Sequence, residues 1–79
     1  MNQPKVIIYS LPTCGYCHTA KEYFKQHNIT YKEVDVDKDP ASQTEMVQKS
    51  GQYSVPVIDI EGQIVVGFQK NAIDLLLGI

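Results

Sequence analysis

A chain of 79 residues leaves room for one domain near the lower size limit for a self-sufficient core. An apolar fraction of 43% excludes disorder, and a net charge of −2 excludes a phosphate-neutralising surface, since all seven basic residues are lysines and no basic stripe forms. The apolar runs fall far short of the roughly 20 residues that a bilayer span needs. Met1 to Pro4 lack the charged and apolar regions of a secretory signal, so a cytoplasmic protein is expected. Neither nucleic acid nor membrane is an expected partner, and a monomer is the default. No linker, repeat or low-complexity stretch interrupts the chain, and residues 1–79 read as a single domain.

The first element is a strand over Lys5-Val6-Ile7-Ile8-Tyr9, short and β-branched, as suits a strand covered on both faces. Pro12 stops it. From Cys14 the period changes, and Cys17, Ala20, Phe24 and His27 recur at helical spacing, with Asn28 suited to end the helix in a left-handed conformation. A second strand is expected over Thr30–Val36, with Val34 and Val36 on one face. Asp39-Pro40 then signals a helix start, cap followed by first-turn proline. That helix points Ala41, Met46 and Val47 inward and stops at Gly51.

Val55–Ile60 and Gln63–Val66 read as two strands joined by Glu61-Gly62, a hairpin link. Gly67 ends the second of them. A last helix follows, with Ala72, Ile73, Leu75, Leu76 and Leu77 on its apolar side and Gly78 near its end. The order is β-α-β-α-β-β-α. The first β-α-β unit demands parallel strands, and the hairpin is antiparallel. The fold class is therefore α/β, one mixed four-stranded sheet flanked by three helices.

Cys14-Gly15-Tyr16-Cys17 carries the chemistry. In a compartment that keeps thiols reduced, a C-x-x-C pair is redox-active or part of a metal site rather than a static staple. Cys14 falls just after a strand, at the first turn of a helix, where free N–H groups and the positive dipole end stabilise an anion. A thiolate is such an anion, and it is the attacking species. Cys17 lies one turn further on the same helix face, within the about 4.4–6.8 Å between Cα atoms that a disulfide needs. Cys14 can therefore attack a target disulfide and Cys17, the more buried thiol, can resolve the mixed disulfide. Gly15 permits close approach of a substrate and Tyr16 offers an edge for contact. One cysteine pair with His18 and His27 at unsuitable positions does not make a zinc site, so no metal ligand is assigned.

Val55-Pro56 precedes an apolar strand. A cis bend there would present the backbone of Val55 to an extended peptide, whereas a plain strand-start proline is also tolerated. Other residues stay open between two readings. His18 is a solvated residue or a local acid or base. Glu33, Asp35, Asp37 and Asp39 form a docking patch or a solvated strand edge. Tyr9 and Tyr53 border the cysteines or pack in the core and rim. Phe68, beside Gly67, lines a substrate groove or packs inward.

In order along the chain, Val6-Ile7-Ile8-Tyr9-Ser10, Cys14-Gly15-Tyr16-Cys17, Tyr31-Lys32-Glu33-Val34-Asp35-Val36, Ser54-Val55-Pro56-Val57 and Gly67-Phe68 resemble the glutaredoxins of the thioredoxin superfamily. The resemblance implies a thioredoxin fold, Cys14 as nucleophile, Cys17 as resolving thiol and Pro56 in cis. It implies a redox-active disulfide with no tightly bound cofactor, and Gly15, Tyr16, Val55, Pro56, Gly67 and Phe68 as the surface that meets substrate or glutathione. It further implies disulfide-containing protein substrates, with glutathione or thioredoxin reductase as electron donor. A glutathione-linked [2Fe–2S] carrier and a binding module without turnover are the alternative functions.

Two departures bear on the donor. Glutathione-using glutaredoxins usually place a Lys three positions before the first cysteine, where this chain has Leu11. They also usually carry Gly-Gly followed by Asp at the last helix, where this chain reads Gly67-Phe68-Gln69-Lys70-Asn71. Each missing charge-assisted contact is worth about 1.5–3 kcal/mol, at least about a tenfold loss in affinity. The pattern is closer to glutaredoxin-like redoxins recharged by thioredoxin reductase.

Overall fold

The computed structural model describes residues 4–78. The reading of the first three residues as lacking a signal lies outside the described residues. Seven elements follow one another as β1 (Val6–Ser10), α1 (Gly15–Gln26), β2 (Lys32–Asp35), α2 (Pro40–Ser50), β3 (Val57–Ile60), β4 (Gln63–Val66) and α3 (Lys70–Leu77). The expected α/β class and element order are those of the protein.

The sheet runs β2-β1-β3-β4. β1 pairs parallel with β2, Ile8 opposite Glu33, and antiparallel with β3, Ile8 opposite Ile58. β3 and β4 are antiparallel, with Ile58 opposite Val65. Alternation along each strand sorts the side chains into two layers. Val6, Ile8, Ile58, Ile60 and Val65 face Ala20 and Phe24 of α1 and Ile73 of α3. Tyr9, Val57, Val34 and Val36 face Met46 and Val47 of α2. Two helices therefore cover one face and one helix covers the other, and Val34 and Val36 share a face as expected.

Local chemistry sets the ends of the elements. Asp39 caps α2 by accepting the Ala41 N–H at 3.1 Å, with Pro40 at the first helical position. Gly51, at φ 76°, ends that helix in the left-handed region and donates its N–H to the Val47 carbonyl. Glu61 and Gly62 both have positive φ, 52° and 87°, the link that matches strand twist in a two-residue hairpin. Asn28 is also left-handed, φ 57°, just past α1.

A polar cluster ties α2 to the sheet. Lys49 Nζ donates to Tyr9 Oη at 2.7 Å and to Asp59 Oδ2 at 2.9 Å, and Tyr9 donates its hydroxyl to Glu45. The bond to Tyr9, then the carboxylates of Asp59 and Glu45, raise the Lys49 ammonium above its ordinary pKa. Tyr9 is thus a core residue with a satisfied hydroxyl, 1% exposed.

Several expectations are corrected. β1 is shifted by one residue, because Ser10 continues the parallel pairing opposite Asp35 while Lys5 is exposed. β2 is shorter than Thr30–Val36, although Val36 is buried just beyond it. β3 begins at Val57, because the Val55–Pro56 bend precedes the ladder. Ala41 is exposed, lying in the first turn of α2 before the helix reaches the sheet. His27 is exposed at the end of α1, its ring packed 4.4 Å from that of Tyr23. Leu75 is 83% exposed: Ile73, Leu76 and Leu77 take the inward stripe of a two-turn helix, and Leu75 falls on the other side.

Candidate active site

β1 ends at Ser10 and the chain turns through Leu11, Pro12 and Thr13, closed by the Cys14 N–H donating to the Leu11 carbonyl at 3.1 Å. Cys14 stands as the cap of α1 in extended conformation, φ −87° and ψ 114°. Its sulfur does what a Ser or Asp oxygen does at a helix start. Sγ accepts the Cys17 N–H at 3.2 Å, and the Cys14 carbonyl accepts from the His18 N–H at 3.2 Å. A first-turn amide of α1, that of Cys17, thus points at the Cys14 sulfur. Cys14 is partly exposed and Cys17 is fully buried, and both are free thiols in this structure.

Burial pushes the Cys17 thiol up to about 12, and its hydrogen bond with Cys14 acts in the same direction. The Leu11 backbone and the Lys21 charge act the other way. A thiol pKa raised on folding stabilises the protein fully below the unfolded value, about 8.5. That contribution falls as pH rises through the window up to about 12. The reduced protein is therefore expected to lose urea resistance between those limits, and Cys17→Ala to lose less of it. Equal losses in the two proteins would show that Cys17 is not the group responsible.

Across from the cysteines, the Val55–Pro56 peptide is cis. The Val55 carbonyl lies 3.8 Å from Cys14 Sγ. The Gly67 N–H donates to the Pro56 carbonyl at 2.8 Å, which holds the end of β4 against this bend. Cys14, Val55, Pro56 and Gly67 are therefore one contiguous group drawn from three parts of the chain. Gly15 and Tyr16 stand at the exposed start of α1, and Tyr16 is 71% exposed. Tyr53 is exposed to a similar degree. Phe68 turns toward α1, its ring edge-on to Tyr23 at 5.5 Å, where it lines a shallow groove with His18, Thr19 and Lys70.

The glutaredoxin family model matches residues 6–65, which include both cysteines and the Val55–Pro56 bend. The chain belongs to the glutaredoxin family. It is 49% identical over 70 residues to an uncharacterised glutaredoxin-like protein of the rubredoxin operon of Clostridium pasteurianum, covering 89% of this chain and 93% of that one. It is 37% identical over 62 residues to glutaredoxin 3 of Escherichia coli, covering 78% and 75%. The crystal structure of the thioredoxin-like protein BC3987 superposes with a TM-score of 0.86 at 37% identity, covering 92% of this chain and 100% of that chain. Membership of this glutaredoxin group supports a thiol–disulfide oxidoreductase role for the chain, and the fold is the thioredoxin fold.

The positions where glutathione-using glutaredoxins carry charge have other occupations here. Leu11 is half-buried against the α2-side core. At the start of α3, Lys70 Nζ donates to Asp74 Oδ2 at 2.7 Å, and Tyr23 donates its hydroxyl to the same carboxylate. Lys70 first, then Tyr23, hold Asp74 below the usual carboxylate range. Sequence reasoning assigned no role to Asp74 or Tyr23, which are 51 residues apart.

The acidic run is also divided among separate tasks. Glu33 pairs with Lys21 at 2.7 Å, Asp35 accepts the Asp37 and Lys38 N–H groups at 2.9 and 3.3 Å, and Asp39 caps α2. Among the described residues no group of three or more His, Cys, Asp and Glu side chains converges as a metal would require. No helix among them is long and apolar enough to cross a membrane.

Proposed function

We propose that this protein is a dithiol reductase of protein disulfides and mixed disulfides, a cytoplasmic electron carrier recharged by thioredoxin reductase. The observation that carries the reading is the Cys14 sulfur, partly exposed at the cap of α1 and bonded by the Cys17 N–H at 3.2 Å, with Cys17 buried behind it.

The Cys14 thiolate attacks one sulfur of a target disulfide. The target S–S bond breaks, the departing thiolate takes a proton, and a mixed disulfide with Cys14 forms. Cys17 then loses its proton and attacks Cys14 Sγ. The Cys14–Cys17 disulfide forms and the second substrate thiolate leaves. The substrate gains two electrons and two protons, and a dithiol donor later returns both to the cysteine pair. The backbone at Val55, 3.8 Å from the attacking sulfur, gives an extended substrate segment a pairing edge beside the reacting atoms. Gly15, Tyr16, Pro56, Gly67 and Phe68 border the same approach.

The choice of donor follows from charge. With Leu11 packed inward and no acid in the stretch Gly67-Phe68-Gln69-Lys70-Asn71, where Lys70 instead pairs with Asp74, two charge-assisted contacts to glutathione are lacking. Backbone contacts remain, so glutathione is a weak reductant rather than an excluded one. Reduction of a protein disulfide coupled to NADPH oxidation is expected to turn over with thioredoxin reductase. With glutathione and glutathione reductase it is expected to be at least about tenfold slower. Equal or faster turnover with glutathione would overturn the donor assignment. Absence of turnover with either would overturn the reductase reading itself.

A further inference from the structure

The resolving thiol poses a problem that the cysteine pair does not solve alone. Cys17 is fully buried and must reach the thiolate before it can attack Cys14. Lys21 stands one turn beyond it on the same face of α1, where residues four apart are neighbours. Its side chain is only 19% exposed and does not extend into solvent. It reaches across to β2, where Nζ lies 2.7 Å from Glu33 Oε2, and that carboxylate also accepts from the hydroxyl of buried Ser10 at 3.4 Å. Ser10 immediately precedes Leu11, whose backbone faces the Cys17 sulfur. The Lys21 ammonium, one helical turn from the buried thiol, is thus held in place by a partner on another element.

We infer that Lys21 is a positioning residue for the second half of the reaction: its ammonium, held by Glu33, stabilises the negative charge that develops on Cys17 Sγ as Cys17 attacks the mixed disulfide. This rests on the dithiol reading above. The proton leaves Cys17 to solvent, the Cys17–Cys14 S–S bond forms, and the substrate thiolate departs with the electron pair of the broken bond. Lys21 keeps its proton throughout. The charged and titratable groups that act on Cys17 are Cys14 and Lys21, while Glu33 on β2 and Tyr31 act on Lys21 in turn and Asp35 acts on Glu33. Lys21 is the cation of this set. Glu33 both fixes it and offsets part of its charge, so the two side chains have opposite effects on a thiolate at Cys17.

That opposition gives the test. Rapid mixing of the reduced protein with dithiobis(nitrobenzoate) releases one coloured thiolate as Cys14 attacks and a second as Cys17 resolves. The pH profile of the second release reads Cys17. In Lys21→Met its midpoint is expected to rise by about one pH unit, with the rate at neutral pH falling about tenfold. Glu33→Gln, which keeps the ammonium and removes its counter-charge, is expected to move the midpoint down. Lys21→Arg is expected to restore the wild-type profile.

Both Lys21→Met and Glu33→Gln break the same ion pair, so a merely structural role would move them together. Shifts in the same direction, or none, overturn the inference. If Lys21→Met does not fold, Glu33→Gln alone decides, a downward shift supporting the inference and any other result overturning it. A wild-type protein that releases no second thiolate would sink both this inference and the dithiol reading. A normal second release with unsplit variant profiles would sink this inference alone.

Discussion

Replacing Cys14 with Ser is expected to lower disulfide reduction by about a thousandfold or more, the scale on which loss of a nucleophile is felt. A hydroxyl does not ionise near neutral pH and does not exchange with a disulfide. The substitution is a clean one because of where Cys14 sits. It is the cap of α1, accepting the Cys17 N–H through its sulfur, and Ser is among the best residues for that task. The helix start is therefore retained while the chemistry is removed, and the urea midpoint of Cys14→Ser should stay close to that of the wild type. Cys17→Ser should behave differently. Its first attack remains possible, the mixed disulfide has no resolving thiol, and a covalent adduct of substrate and protein accumulates, visible by mass and reversed by dithiothreitol. A Cys14→Ser protein that still reduces disulfides, or a Cys17→Ser protein that traps nothing, would invalidate the division of roles.

The placement of the two cysteines was legible in the sequence because it depends on local pattern. The change from a β-branched run at Val6–Tyr9 to helical spacing after Cys14 marks a strand-to-helix junction, and a cysteine at such a junction meets free amides. Asp39, Pro40 and Gly51 were equally readable, since caps and left-handed stops are made by the residue itself and its nearest neighbours. What sequence did not reveal depends on partners far along the chain. Lys21 and Glu33 are 12 residues apart, on different elements, and look like ordinary surface charges until β2 lies beside α1. Tyr23 and Asp74 meet only because α1 and α3 cover the same face of the sheet. The apolar run at the end of α3 likewise does not say which Leu faces out. In so short a helix the stripe is fixed by the sheet beneath it, and Ile73, Leu76 and Leu77 take the inward places.

The second large effect is expected at Phe24, in the core that sets the position of the active-site helix. Phe24 is fully buried on the α1 face, its ring 5.6 Å from that of Tyr31, packed among Ile8, Ile58 and Ile73 of the same cluster. Phe24→Ala should cost about 3–5 kcal/mol, the lost transfer free energy together with the cavity left behind. Against about 0.05–0.15 kcal/mol per residue, a chain of 79 residues has only about 4–12 kcal/mol in total. The substitution therefore removes a large part of the stability, and urea titration should show a much lower midpoint with a similar slope. It also has a consequence at the cysteines. Phe24 and Ala20 fasten α1 to the sheet, Cys17 lies on the same buried face, and the start of that helix holds the Cys14 sulfur. Loosening α1 exposes the resolving thiol, so alkylation of Cys17 under native conditions should become readily detectable in Phe24→Ala, whereas in the wild type only Cys14 reacts at a comparable rate. A variant that loses less than about 1 kcal/mol and keeps Cys17 protected would mean that α1 is held in place by something other than this core.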